Sequence, residues 1–146
     1  MELNGETLRF IREHRKDDVR SLALQAPKYP DVDMPVALTQ IAGRQAAAEK
    51  IPSWHEEESV LYPHHLSLEQ CSSEATARYK ASIIPESSSG TLTDLTGGFG
   101  IDCAFLSPRF HHVTYVERQE VLCEIASHNF PLLGLNHIQI ENKDGI

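Results

Sequence analysis

Seven residues past the middle of the chain, Asp94-Leu95-Thr96-Gly97-Gly98-Phe99-Gly100, constrain its fold more than any others. A short apolar-leaning run, Thr91-Leu92-Thr93, leads into them, and a segment of helical period follows. His112-Val113-Thr114-Tyr115-Val116 then reads as a second buried strand, with Glu117 at its carboxyl end. Glycines in such a turn permit positive φ and let a ligand come close to the backbone. Strand, glycine turn, helix, strand and acid is the layout by which a doubly wound α/β domain holds an adenosine-containing cofactor.

Asp94 narrows the cofactor. Nicotinamide and flavin folds place G-x-G-x-x-G/A directly after the strand, so that backbone amides and a helix N-terminus meet a pyrophosphate. Here the register gives Cys103 where the third small residue belongs, and a carboxylate ends the strand before the first glycine. A negative charge there repels pyrophosphate and favours a ligand carrying ammonium or sulfonium. S-adenosylmethionine carries both and no phosphate. Glu117 can accept hydrogen bonds from both ribose hydroxyls. A glycine-rich match alone is weak, and a tight turn without a ligand is its plain structural alternative. The two strand-end acids are what tip the reading toward a cofactor.

The stretch from Asp94 to Gly100 resembles motif I of class I S-adenosylmethionine-dependent methyltransferases. That resemblance implies a Rossmann-like parallel sheet and a cofactor site of Asp94, Thr96, Gly97, Gly98, Gly100 and Glu117. It places Asp94 by the methionine part, Glu117 on the ribose, and Asp144, after the apolar run Ile138-Gln139-Ile140, near the adenine. An Asp144-Gly145 turn is the competing explanation of Asp144. The longer string to Asp102, with Glu69 to Ala77 upstream, is similar to a bacterial group whose complete members continue into a THUMP-like, RNA-associated domain. In such enzymes the helix opened by Gln70, Ser72 and Ser73 helps cover the methionine end, although serine caps helices in any protein. RNA as partner and methyl acceptor is implied by this resemblance alone. The general likeness covers roughly residues 68–146.

Around this centre the chain divides into a helical N-terminal region, 1–66, and a methyltransferase half-domain, 67–146. Leu8, Ile11 and Phe10 make one apolar face, and Val19, Leu22 and Ala23 another. Asp33 before Pro35 caps a helix running to about Glu49, weakened at Gly43. Leu61-Tyr62-Pro63 reads as a short extended piece. Ser67 and Gln70 form a capping box, opening a helix through Tyr79 to Ile83. Pro85-Glu86-Ser87-Ser88-Ser89-Gly90 is a turn-forming connector. The first strand ends at Asp94. The next helix buries Ile101, Ala104 and Phe105 and stops before Pro108. A strand over Val113 to Val116 leads to a helix with Leu122, Ile125 and Ala126 inside, disturbed at Pro131 and capped by Gly134. A third strand spans Ile138 to Ile140. This alternation predicts a parallel sheet.

Bulk properties exclude several classes. Apolar content of 40% and charge content of 23% over 146 residues fit a globular domain with a real core. No apolar run reaches membrane-span length, and the N-terminus is too polar for a secretory signal. Cys71, Cys103 and Cys123 are widely spaced, which fits reduced thiols in a cytoplasmic protein and not a zinc site. The pairs His64-His65 and His111-His112 lack metal-ligand spacing. A net charge of −8 argues against a stand-alone nucleic-acid binder. The cluster Arg9, Arg12, Arg15, Lys16 and Arg20 is diluted by acids and reads as a solvated helix surface.

The resemblance implies a seven-stranded sheet whose fourth strand carries the acceptor motif. No such motif occurs here, so the expectation is the cofactor-binding part of a longer methyltransferase, inactive alone. Two alternatives stand beside it. One is a non-catalytic adenosyl-binding or interaction module completed by a partner. The other is a dinucleotide-dependent oxidoreductase, against which Asp94 and Cys103 count.

Overall fold

Short polar side chains start the first three α-helices. In this computed structural model, which describes residues 2–85 and 90–146, Asn4 accepts from the Thr7 N–H at 2.8 Å and opens α1, Gly5–Glu13. Asp18 likewise caps α2, Val19–Leu24, and Asp33 caps α3, Met34–Lys50, with Pro35 in its first turn. Each cap satisfies an N–H that the helix itself leaves without a partner. Phe10, Leu22, Met34, Ala37 and Ile41 then form one apolar cluster among these helices, and Phe10 meets Tyr29 edge to face at 4.8 Å. Leu8 and Ala23 stay exposed, so the buried faces are narrower than the apolar spacing predicts.

Gly43, in the middle of α3, has a packing reason. A Cβ there would lie 2.4 Å from Cβ of Tyr62. The glycine lets residues 60–63 cross the helix closely. That segment joins no sheet; two buried amides hold it instead. Gln40 accepts from the Tyr62 N–H at 2.8 Å and donates to its carbonyl at 3.0 Å. Asn129 does the same for Leu61, at 2.9 and 2.8 Å. Backbone groups that a strand would pair are thus paired by side chains, as burial requires.

Beyond α4, Pro52–His55, the single helix predicted from Ser67 to Ile83 is two. Helix α5 is His65–Gln70 and α6 is Glu74–Ser82. The break has identifiable causes. Lys50 Nζ donates to the carbonyls of Leu68 and Glu69 at 2.7 and 2.9 Å, and Ser73 restarts the chain by accepting from the Thr76 N–H. Helix α6 is tied back to α4 by Glu74, which accepts from both the N–H and the hydroxyl of Ser53. Of the expected connector, residues 86–89 lie outside the described residues.

The remainder follows the predicted alternation. Strands β1, Thr91–Asp94, β2, His112–Glu117, and β3, Ile138–Asn142, form a three-stranded parallel sheet in the order β1-β2-β3. Thr93 pairs with Thr114, and Tyr115 pairs with Ile140. The crossovers are α7, Ile101–Leu106, and α8, Glu120–Leu132. Pro131 falls in the last turn of α8, and Gly134 at φ 76 ends it. The Leu135 N–H reaches the Phe130 carbonyl and the Gly134 N–H that of Pro131, the Schellman arrangement. The main core runs from Ile51, Trp54 and Tyr62 across Phe99 and Ile101 to Tyr115, Ile125 and Phe130. The N-terminal segment and the sheet therefore share one interior. Among the described residues no helix is long and apolar enough to cross a membrane.

Candidate cofactor site at the carboxyl ends of the strands

The turn after β1 is built from the inside outward. Phe99 points into the core, 5.2 Å from the Trp54 ring and 5.9 Å from that of Tyr62. This anchor leaves the flanking glycines at the surface of a cavity of about 350 Å³. Gly98 has φ 56 and Gly100 φ 91, conformations that side chains with a Cβ resist. Gly97 has ordinary φ, and its requirement is space: a Cβ would lie 2.3 Å from Cε2 of Tyr115. The expectation that positive φ explains all three glycines therefore needs correction at Gly97. The turn is pinned to β2 by the Gly97 N–H donating to the Val116 carbonyl at 2.8 Å. The Tyr115 hydroxyl donates to the Gly98 carbonyl.

Glu117 closes the arrangement. Its side chain is buried, with Oε1 accepting from the Gly98 N–H at 3.2 Å and Oε2 from the Gln119 N–H at 2.6 Å. One carboxylate thus joins the β1 turn to the start of α8. Each of its oxygens keeps a further lone pair for a ligand hydroxyl. The strand below is secured by Asn142, whose amide donates to the Glu117 carbonyl at 2.9 Å.

Asp94 is half-buried and accepts from the Thr96 N–H at 3.1 Å through Oδ1. Burial raises its carboxyl above the ordinary value of 3.8, and the charges of Asp102 and Glu117 add to this; the Thr96 N–H and Lys80 oppose it. Burial also pushes the Cys103 thiol up to about 12, so it is an inert core group.

Asp94, Thr96, Gly97, Gly98, Gly100 and Glu117 all line this one cavity. Gln70 and Ser72 line it too. Ser73, next in the chain, is the cap of α6 and lies outside the lining. Asp144 is exposed and also outside it; its Oδ1 accepts from the Ile146 N–H at 3.1 Å in a turn. Cys71, Asp102 and Gln119 line the cavity without having been singled out by pattern. Asp102 sits in the first turn of α7, where the glycine register alone could have placed it facing the turn. A larger cavity of about 420 Å³ lies elsewhere, among Leu8, Ile11, Arg44 and Tyr62, away from the strand ends. Among the described residues no group of His, Cys, Asp and Glu side chains could hold a metal ion.

The arrangement fits S-adenosylmethionine on three counts. The volume falls in the range of about 300–1,000 Å³ usual for small-molecule sites. The lining carries carboxylates at Asp94, Asp102 and Glu117, which suit a cation and oppose a pyrophosphate. A Cβ on Gly98 would meet nothing nearer than the Thr96 carbonyl at 3.7 Å, so backbone here is open to close approach.

Fold and site together define a Rossmann-like α/β unit with an acid-and-glycine cavity at the carboxyl ends of its strands. The chain is similar to a crystal structure described as a "putative methyltransferase from Porphyromonas gingivalis W83", with a TM-score of 0.73 and 29% sequence identity. The alignment covers 95% of this chain and 34% of that one, so the chain spans about a third of that protein's length. No protein-family model matches the chain, and no curated protein matches it at a significant level.

Proposed function

We propose that this chain is the S-adenosylmethionine-binding part of a methyltransferase. The observation that carries the reading is the convergence of Asp94, the positive-φ glycines and Glu117 on one cavity at the strand ends. Likeness over 95% of the chain to a structure described as that of a "putative methyltransferase" supports it. Glu117 would hold the ribose hydroxyls, Gly98 and Gly100 would give the adenosine access to the backbone, and Asp94 would face the positively charged end. When bound, the cofactor supplies an electrophilic methyl group on a sulfonium.

The chain's own contribution is orientation and exclusion of water. Phe99 and Tyr115 fix the turn from below, and the two hydrogen bonds to Glu117 fix its carboxylate before any ligand arrives. Such preorganisation lowers the cost of binding. RNA as methyl acceptor rests on the family resemblance. The basic residues in and just after α1 add little to it, since Arg9 pairs with Glu6 and Arg15 with Glu58.

Calorimetric titration of the purified protein with S-adenosylmethionine and, separately, with NAD tests the reading. Saturable binding of the first and none of the second is expected. Binding of NAD at equal or higher affinity would overturn it in favour of a dinucleotide site.

A further inference from the structure

Leu8 departs from the pattern of α1. Thr7 and Phe10 of that helix are buried, yet Leu8 stays 45% exposed. It lines the cavity of about 420 Å³ that lies away from the strand ends, with Ile11 of the same helix and with Val60 and Leu61 of the segment that crosses α3. That volume is within the range of about 300–1,000 Å³ usual for small-molecule sites. The wall is preformed. Asn129 and Gln40 hold the backbone at Leu61 and Tyr62, and His128 Nε2 donates to the Ser59 carbonyl at 2.8 Å.

Apolar lining alone does not name an occupant; the charges beside it do. Arg12 and Arg44 line the same cavity. Arg12 is exposed and has no hydrogen-bond or ion-pair partner among the described residues. Arg44 is half-buried, and among the described residues its one hydrogen bond is a donation to the Glu58 carbonyl at 3.4 Å. A guanidinium has five N–H donors, so most of those on both residues stay open. The neighbouring arginines are committed, Arg9 to Glu6 and Arg15 to Glu58. Glu58 also lines the cavity, and Arg15 answers its charge at 3.2 Å. In a chain of net charge −8, two uncommitted cations thus stand beside uncovered apolar surface.

We propose that this cavity is a second binding site, for a small amphipathic monocarboxylate whose apolar body covers Leu8, Ile11, Val60 and Leu61 and whose carboxylate is drawn by Arg12 and Arg44. Guanidinium matches carboxylate by shape, through paired N–H···O bonds. The exposed Glu58 works against a second negative charge on the ligand. A nucleic-acid strand fits less well, because its phosphates call for a row of cations and its backbone would leave the apolar lining uncovered. The site is independent of the S-adenosylmethionine reading.

Octanoate is the probe, with 1-octanol as its neutral counterpart and acetate as the head group alone. Each is titrated into the purified protein and followed by calorimetry. Octanoate should bind saturably, about tenfold or more tighter than octanol, the scale of hydrogen bonds to a charged group, and acetate should show no saturation. Arg12→Gln changes a surface residue and should fold normally. It should weaken octanoate about two- to fivefold, the range for an exposed ion pair, and leave octanol unchanged. Leu8→Asp should weaken octanoate and octanol alike, by about tenfold, through lost apolar contact. Both variants should keep the wild-type affinity for S-adenosylmethionine. Absence of saturable octanoate binding, or octanol binding as tightly as octanoate, would overturn the proposal. Octanoate binding untouched by both substitutions would place the ligand elsewhere and overturn it as well. Displacement of octanoate by a single-stranded oligoribonucleotide would overturn it in favour of a nucleic-acid surface. None of these failures touches the cofactor reading.

Discussion

Gly97→Ala isolates the steric basis of the turn from its ligand chemistry. A methyl group at Gly97 would lie 2.3, 2.5 and 2.6 Å from Cε2, Cδ2 and Cζ of Tyr115. The ring cannot simply swing away. It is fully buried, packs edge to face on Phe130 at 5.6 Å, and its hydroxyl bonds the carbonyls of Gly98 and Leu122. Overpacking a closed core typically costs about 1–3 kcal/mol, and three contacts this short belong at the upper end, about 2–3 kcal/mol. For a chain of this size each kcal/mol lowers Tm by about 2–4 °C, so a fall of about 4–12 °C is expected by differential scanning calorimetry. Tyr115→Leu removes the ring and should itself destabilise the protein by vacating space. Combined with Gly97→Ala it should cost less than the sum, with a coupling of about 1 kcal/mol or more. An unchanged Tm for Gly97→Ala, or strict additivity with Tyr115→Leu, would refute the view that the glycine is there to admit the tyrosine.

Other consequences follow from the same contacts. Asp94 has a raised pKa, so the folded apo protein binds its proton more tightly than the unfolded chain, and stability present at low pH is lost as pH rises through that pKa. Asp94→Asn should therefore raise the apo Tm at neutral pH and flatten its acid dependence, while weakening a cationic ligand; a lower Tm at pH 7 would contradict the burial argument. Asn129→Ala removes the amide that pairs both backbone groups of Leu61, and should cost about 2–4 kcal/mol by urea denaturation, since unpaired buried polar groups cost about 1–3 kcal/mol each. A loss below about 1 kcal/mol, less than a single such group, would mean that the segment at Leu61 is not held from α8.

What could be read in the residues is local. The limits of β1 follow from the apolar-leaning run before Asp94, and those of α3 from Asp33 and Pro35, because caps and turns are encoded within a few positions. β2 and β3 extend beyond their apolar cores, to Glu117 and Asn142, because pairing with a neighbouring strand continues where hydrophobicity stops. The break between α5 and α6 was not legible, since it depends on Lys50 reaching carbonyls far along the chain. Gly43 read as a flaw in a helix, and its reason, Tyr62, is equally distant in sequence. In the site, the acids and glycines of the turn carry their own signature. Asp102 does not, because its partners lie far back in the chain, Lys80 in α6 and Ser72 in the link that precedes it.

The most direct test of the central claim is the affinity of Glu117→Ala for S-adenosylmethionine and for its 2′,3′-dideoxy analogue. Truncation also strands the N–H groups of Gly98 and Gln119, a loss of preorganisation that weakens both ligands alike. Only the ribose contact distinguishes them. The account predicts that the variant loses about 1.5–3 kcal/mol more affinity for the natural cofactor than for the dideoxy ligand, the range of hydrogen bonds to a charged group. Equal losses for the two would show that Glu117 braces the turn without touching the ribose, and would contradict the assignment of this cavity as an adenosyl site.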